Sequence, residues 1–273
     1  MKPITAPQLK AKKQAGEKIV MLTCYDATFA SVLEQTDVDC LLVGDSLGMV
    51  IQGRSSTLPV TVEDIVYHSR CVARQARQKL LIADLPFMSY QPSVETALVN
   101  AGRLLKEGGA QAVKLEGGCA QFETVQTLVR AGIPVMGHIG MEPQSVHQTG
   151  GYKIQGKTEE ASQKLIQDGL SLEAAGCFAI VLEGMAPETA KKITQTVSIP
   201  TIGIASGPDC DGQVLVLYDI LGLNPGWQPK FAKKYLDGNR LVFEAAQSFV
   251  KEVRQGLYPS EQQEEKEGFR LIQ

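Results

Sequence analysis

Several things are scarce in this sequence, and each scarcity removes a class of function. The six cysteines (Cys24, Cys40, Cys71, Cys119, Cys177 and Cys210) form no CxxC pair and no dense framework. That spacing indicates neither a structural zinc site nor a disulfide scaffold, and reduced thiols in a cytoplasm are the simpler expectation. Basic residues are in no excess: 27 Lys and Arg face 30 Asp and Glu, for a net charge of -3. No field is available to hold nucleic acid or an anionic membrane through many phosphate contacts, so small-molecule partners are expected. No apolar stretch approaches the ~20 residues of a membrane span. The segment Met1-Lys2-Pro3-Ile4-Thr5 leads into Lys-rich polar sequence instead of a signal-peptide core. The expected location is cytoplasmic, with no membrane association.

What is present is a repeating pattern. At 273 residues and 44% hydrophobic content the chain can bury a full core, and barrels of this length commonly form one domain. Eight short apolar runs, each bounded by Gly, Asp or Pro, fall at 19–26, 40–46, 80–86, 112–118, 134–140, 178–184, 200–207 and 213–218. The last of these reads as partly helical. Between them, 61–78, 93–107, 158–175 and 187–196 place apolar residues at helical spacing and start near Thr, Ser or Pro. Strand followed by helix is the signature of a parallel sheet, and eight such units suggest a closed (β/α)8 TIM barrel of the α/β class. The expected organisation is a catalytic barrel over 1–259, opened by an N-terminal helical segment, and a polar tail over 260–273.

The chemistry collects at the carboxyl ends of the runs: Asp26, Asp45, Asp84, Lys114, Glu116, His138 and Glu183. In a barrel that end is the catalytic face. Because side chains alternate, Lys114 and Glu116 should share a side, as should Val43 with Asp45, Ile82 with Asp84 and Val181 with Glu183. Clustered carboxylates without Cys or several His favour a hard, oxygen-loving ion, with Mg2+ leading and Asp45 and Asp84 as its ligands. The alternative is that these two merely cap loops or pair with Lys114. Lys114 can hold an anionic substrate's carboxylate or serve in a structural ion pair. Glu183, if its surroundings are apolar, reads as a general base, or else as a rim carboxylate in a salt bridge. His138 is auxiliary: a base, a donor to another site group, or hydrogen-bonded structure.

Gly44-Asp45-Ser46-Leu47-Gly48 satisfies the nucleophile-elbow pattern G-x-S-x-G. That elbow follows a middle strand and opens a long helix. Here it follows the second run, with Gly53 and Pro59 soon after, so Ser46 is read as a ligand-contacting loop serine.

Several blocks in order carry a family resemblance: Met21-Leu22-Thr23-Cys24-Tyr25-Asp26, Leu42-Val43-Gly44-Asp45-Ser46-Leu47-Gly48-Met49-Val50, Ser56-Thr57-Leu58-Pro59-Val60-Thr61 and Val113-Lys114-Leu115-Glu116-Gly117-Gly118. Gly137-His138-Ile139-Gly140, Gly150-Gly151-Tyr152-Lys153, Leu182-Glu183 and Cys210-Asp211-Gly212-Gln213 continue it. Over nearly its whole length the sequence resembles the ketopantoate (3-methyl-2-oxobutanoate) hydroxymethyltransferases. The resemblance implies one Mg2+ per subunit at Asp45 and Asp84, with Glu116 as a third carboxylate, direct or through water. It implies that Asp45, Ser46, Asp84 and Lys114 bind 3-methyl-2-oxobutanoate, and that Glu183 removes its C3 proton. The magnesium-stabilised enolate would then attack the one-carbon unit of 5,10-methylenetetrahydrofolate, giving 2-dehydropantoate and tetrahydrofolate. It also implies a homo-oligomer, commonly a decamer in the family.

The sequence departs from the family pattern at Gln52, Arg54-Ser55, Met141-Glu142 and Ala205-Ser206, all on loops past strand ends. Two other readings stand beside this one. A relative of the phosphoenolpyruvate mutase and isocitrate lyase barrels would also take a 2-oxo acid on Mg2+, but the Lys-Cys-Gly-His type loop of those enzymes is absent. A non-catalytic metabolite-binding barrel would make the strand-end carboxylates fortuitous.

Overall fold

The computed structural model describes residues 3–224 and 229–260. Eight parallel strands close into a barrel in chain order: β1 (Ile19–Thr23), β2 (Cys40–Val43), β3 (Leu80–Asp84), β4 (Ala112–Glu116), β5 (Val135–Gly140), β6 (Ala179–Glu183), β7 (Thr201–Ile204) and β8 (Gly212–Leu215), with β8 pairing back onto β1. Each strand falls within or beside its predicted run. The eighth run is indeed mixed, for β8 ends at Leu215 and a helical turn begins at Leu217.

Helices α1 (Ala6–Ala15), α2 (Ala27–Glu34), α3 (Leu47–Val50), α4 (Val62–Ala73), α5 (Val94–Lys106), α6 (Phe122–Arg130), α7 (Val146–Thr149), α8 (Glu159–Ala175) and α9 (Pro187–Thr196) connect the strands. Their starts follow from local chemistry. Thr61, Ser93 and Thr158 each accept a hydrogen bond from the N–H three residues on, satisfying donors that a helix start leaves free. Pro187 opens α9, where its missing N–H costs nothing. At the other end of α8, Gly176 takes the left-handed conformation (φ 104°) that closes the helix before β6.

The barrel interior is filled by alternate strand residues: Ile19 and Met21, Cys40 and Leu42, Leu80 and Ile82, Ala112, Met136, Ala179 and Val181, Ile202 and Val214, together with Leu9 from α1. At about 1.5–3 kcal/mol for each fully buried large apolar side chain, this layer is a major source of stability. Lys13 of the same helix donates to the carbonyls of Thr194, Val197 and Ile199 at 2.9–3.0 Å, fastening α1 to the end of α9.

The chain divides into two compact units, Met1–Leu217 and Tyr218–Gln273. The second carries α10 (Gly238–Arg254), which exposes Val242, Phe243 and Phe249. Apart from Ser260, the expected polar tail lies outside the described residues. Among the described residues no helix is long and apolar enough to cross a membrane.

Candidate active site

Strand register assembles the site. Parallel pairing sets Asp84 of β3 beside Lys114 of β4, Glu116 of β4 beside His138 of β5, and Gly140 of β5 beside Glu183 of β6. Asp84, Lys114 and His138 each stand two residues past an interior apolar residue (Ile82, Ala112, Met136), so the pleat points them into the barrel mouth. Lys114 Nζ lies 2.8 Å from Asp84 Oδ1 and 3.4 Å from His138 Nδ1. His138 Nε2 lies 3.3 Å from Glu183 Oε2. Because an ammonium only donates, His138 Nδ1 is assigned as the acceptor, which leaves Nε2–H facing Glu183.

Asp45 reaches the cluster by a different route from the one expected. The inward residues of β2 are Cys40 and Leu42, so alternation turns Gly44 inward, not Val43 and Asp45. The chain instead turns after β2, and Asp45 N–H donates to Asp84 Oδ2 at 3.0 Å. Gly44 makes room for this: a Cβ there would stand 2.9 Å from Ser46 Oγ and 3.3 Å from Asp84 Oδ2. Ser46 Oγ shares a 2.8 Å hydrogen bond with Tyr25 Oη and leads into the four-residue helix α3, unlike a nucleophile elbow.

Burial governs the electrostatics. Asp45 is pushed up to about 7, first by desolvation and then by the negative charge of Asp84. Glu116 is raised well above the ordinary carboxylate range by burial and then by Asp45. Desolvation alone would lower the Lys114 pKa, but Asp84, Glu116 and Asp45 together hold it above the ordinary lysine value. Three carboxylates, Asp84, Glu116 and Asp45, therefore interact with one ammonium, and the charge of Glu183 adds to the field on Asp45 and Glu116.

That imbalance fits a divalent cation. The donors are all oxygen, and buried Asp84 Oδ1 accepts no well-aligned hydrogen bond beyond its ion pair with Lys114. Among the described residues no group of three or more His, Cys, Asp or Glu is placed to hold a metal ion by itself. A pair of carboxylates with open positions suits Mg2+, which keeps several water or substrate oxygens.

Of the sequence-predicted residues, Asp45, Ser46, Asp84, Lys114, Glu116, His138 and Glu183 are thus brought to one mouth, and Asp26 is not. Asp26 caps α2, its Oδ1 accepting from Phe29 N–H at 2.9 Å. Glu183 keeps 17% of its side-chain surface and faces His138, a more polar corner than expected, and no Lys or Arg among the described residues pairs with it. Three residues escaped the sequence reading: Tyr25, Tyr90 and Gln144. Tyr90 Oη accepts from Glu116 N–H at 3.1 Å, and its one proton is shared between Glu116 O and Gln144 Oε1, each at 3.0 Å. Gln144 Nε2 donates to Asp45 Oδ2 at 2.8 Å. Tyr25 lay within a matching block, whereas a neutral amide in a loop leaves no charge or periodicity signal. Beside Gln144 a cavity of about 290 Å3 is lined by Leu58, Phe87, Ser145, His147 and Gln148.

The Ala205-Ser206 departure has a structural reading. Ala205 sits at φ 51°, a left-handed conformation costly for any residue with a Cβ. Ser206 Oγ donates to Leu182 O at 2.8 Å and accepts from Met185 N–H at 3.2 Å, bracing the chain on both sides of Glu183.

An eight-stranded parallel barrel with its buried charges gathered at the carboxyl ends of the strands defines a (β/α)8-barrel enzyme. Residues 3–261 match the family profile described as ketopantoate hydroxymethyltransferase. A 3-methyl-2-oxobutanoate hydroxymethyltransferase of Carboxydothermus hydrogenoformans is 53% identical over 261 residues, covering 96% of this chain and 95% of its own. Its counterpart in Geobacter metallireducens is 51% identical over 257 residues, covering 94% and 96%. The chain belongs to the ketopantoate hydroxymethyltransferase family and is a transferase. Among solved structures, a phosphonopyruvate hydrolase in complex with oxalate and Mg2+ superposes with a TM-score of 0.62 at 13% identity, covering 95% of this chain and 93% of that one. A 2,3-dimethylmalate lyase of the PEP mutase/isocitrate lyase superfamily gives 0.59 at 15% identity, covering 96% and 92%. At such identities the likeness extends to the fold alone.

Proposed function

We propose that this chain transfers a one-carbon unit from 5,10-methylenetetrahydrofolate to C3 of 3-methyl-2-oxobutanoate, giving 2-dehydropantoate and tetrahydrofolate, with water supplying the hydroxyl oxygen. The observation that carries this reading is the gathering of Asp45, Asp84 and Glu116 around the ammonium of Lys114 at the barrel mouth, with Glu183 beside His138 at the same mouth. Asp45 and Asp84, backed by Glu116, would hold one Mg2+ per subunit. When bound, the ion polarises the 2-oxo acid's carbonyl and makes the adjacent C–H more acidic.

The residues of this chain do the rest. The Lys114 ammonium binds the substrate carboxylate, with the Ser46 hydroxyl, held by Tyr25, as a second donor. Glu183 is paired with no Lys or Arg among the described residues and takes the C3 proton, with His138 Nε2 3.3 Å from its Oε2. Apolar strand residues below, Ile82 and Val181, close the floor against water. The cavity beside Gln144 is the place proposed for the folate donor, which must approach the same mouth. The reaction needs no covalent enzyme nucleophile, in keeping with a Ser46 hydroxyl paired with Tyr25.

We further propose a cytoplasmic homo-oligomer of decamer size. The exposed apolar side chains of α10 and the family membership support self-association.

Incubation with 3-methyl-2-oxobutanoate, 5,10-methylenetetrahydrofolate and Mg2+ tests the reading by NMR. The expected result is metal-dependent 2-dehydropantoate. Cleavage of a 2-oxo acid substrate without donor would point to lyase chemistry instead.

A further inference from the structure

We propose that Gln144 is a positioning residue that fixes the geometry of the metal-binding carboxylates, an inference resting on the Mg2+ assignment above. Gln144 is 5% exposed and lies in the helical turn Pro143–Ser145 after β5. Its side-chain amide and its backbone N–H are all engaged. Nε2 donates to Asp45 Oδ2 at 2.8 Å and to Leu85 O at 3.1 Å. Oε1 accepts from Tyr90 Oη and Gln91 Nε2, each at 3.0 Å. The backbone N–H donates to Glu116 Oε2 at 3.0 Å. One residue of the β5 loop thereby ties Asp45, on the turn after β2, to Glu116 at the end of β4.

The neighbours fix which way the amide faces. Gln91 Nε2 can only donate, so the edge of Gln144 toward it is Oε1. The opposite edge meets a carboxylate and a carbonyl, which can only accept while Asp45 is ionised, so Nε2 belongs there. A flipped amide would set oxygen against oxygen at Asp45 and Leu85 and one NH2 group against another at Gln91. Gln144 therefore offers Asp45 a donor and no proton acceptor, an arrangement that holds the ionised carboxylate in one rotamer. Tyr90 sets the amide in turn: its hydroxyl touches Gln144 Oε1 and both the N–H and the carbonyl of Glu116. Outer hydrogen bonds of this kind orient metal-binding carboxylates, and their loss typically weakens metal affinity ~10–100-fold.

A role confined to propping up the loop would leave metal affinity untouched, and this separates the two accounts. Gln144→Leu removes the donor to Asp45 but keeps the bulk and the backbone N–H to Glu116. Titration calorimetry with Mg2+ alone should show Kd rising ~10–100-fold in this variant. KM for 3-methyl-2-oxobutanoate should rise with it, while kcat at saturating Mg2+ and substrate falls less. Tyr90→Phe should weaken Mg2+ by a smaller factor and add little on top of Gln144→Leu, since both act through one network. A Gln144→Leu variant that melts like the parent and binds Mg2+ within about twofold of it overturns the proposal, because an engaged outer partner contributes more than that. A parent protein that binds no Mg2+ overturns the metal assignment and this inference together. If Gln144→Leu does not fold, Tyr90→Phe decides alone, and unchanged Mg2+ affinity there overturns the proposal.

Discussion

Along β3 to β6 the barrel interior changes character within two residues. Ile82, Ala112, Met136 and Val181 form a dry apolar layer, and the next inward positions on the same strands hold Asp84, Lys114, His138 and Glu183. The same pleat that buries one set against its neighbours aims the other set at a common point. The two layers do opposite things energetically. Burying a methylene contributes about 0.8 kcal/mol. Burying a carboxylate without full compensation costs several times that. The lower layer supplies stability and the upper layer spends part of it to hold charges where chemistry needs them.

Substitutions that exchange the behaviour of the layers should break this comparison. The largest effect belongs to Glu183→Gln, which keeps shape and removes the proton acceptor. Turnover should fall ~10^2–10^4-fold while substrate and Mg2+ still bind, measured by steady-state kinetics beside calorimetry. Unchanged turnover would remove Glu183 from the base role. Asp84→Ala comes next: calorimetry should find Mg2+ affinity reduced by more than about 100-fold, beyond the loss of an outer partner, and 2-oxo acid binding lost with it. One position down the same strand, Ile82→Ala should cost about 2–5 kcal/mol in denaturant unfolding yet leave kcat within a few-fold. A collapse of kcat without loss of stability would mean the two layers are not separate.

A smaller effect sharpens the contrast through pH. In chelator-treated protein, burial and the charge of Asp84 keep Asp45 protonated up to about 7 in the folded state, whereas it ionises near the ordinary aspartate value of 3.8 when unfolded. The folded state then binds more protons between those values, so this contribution to stability is full at low pH and is lost as pH rises through about 7. Glu116 is raised for the same reason and acts in the same direction. Thermal unfolding at pH 5 and pH 8 should show the metal-free protein losing stability at the higher pH, with added Mg2+ reversing the loss. A metal-free protein that gains stability over that range would contradict the buried, proton-holding cluster.

The period-two pattern made much of this legible in the sequence. The runs 80–86, 112–118 and 178–184, carrying Asp84, Glu116 and Glu183 near their ends, mark both the strands and their active ends, and Thr61, Ser93 and Thr158 mark helix starts. The pattern failed where the backbone leaves the strand. Asp45 was assigned to the pleat beside Val43 but is delivered by a turn that depends on the missing side chain of Gly44. Asp26 looked like the other strand-end acids because an N-cap and a ligand use the same residue type at the same place. Gln144 and Tyr90 stayed hidden because neutral loop residues gain meaning only from partners far along the chain, 99 residues away for Gln144 and Asp45. The short helices α3 and α7, of four residues each, are too brief to show a helical period.

The central claim is that Glu183 removes a proton from a 2-oxo acid activated at the Asp45 and Asp84 site. Deuterium exchange at C3 of 3-methyl-2-oxobutanoate, followed by NMR in deuterated water without any folate, isolates that step. The account predicts exchange that requires Mg2+ in the parent protein and disappears in Glu183→Gln. Exchange at the parental rate in that variant, or exchange indifferent to Mg2+ in the parent, would contradict it.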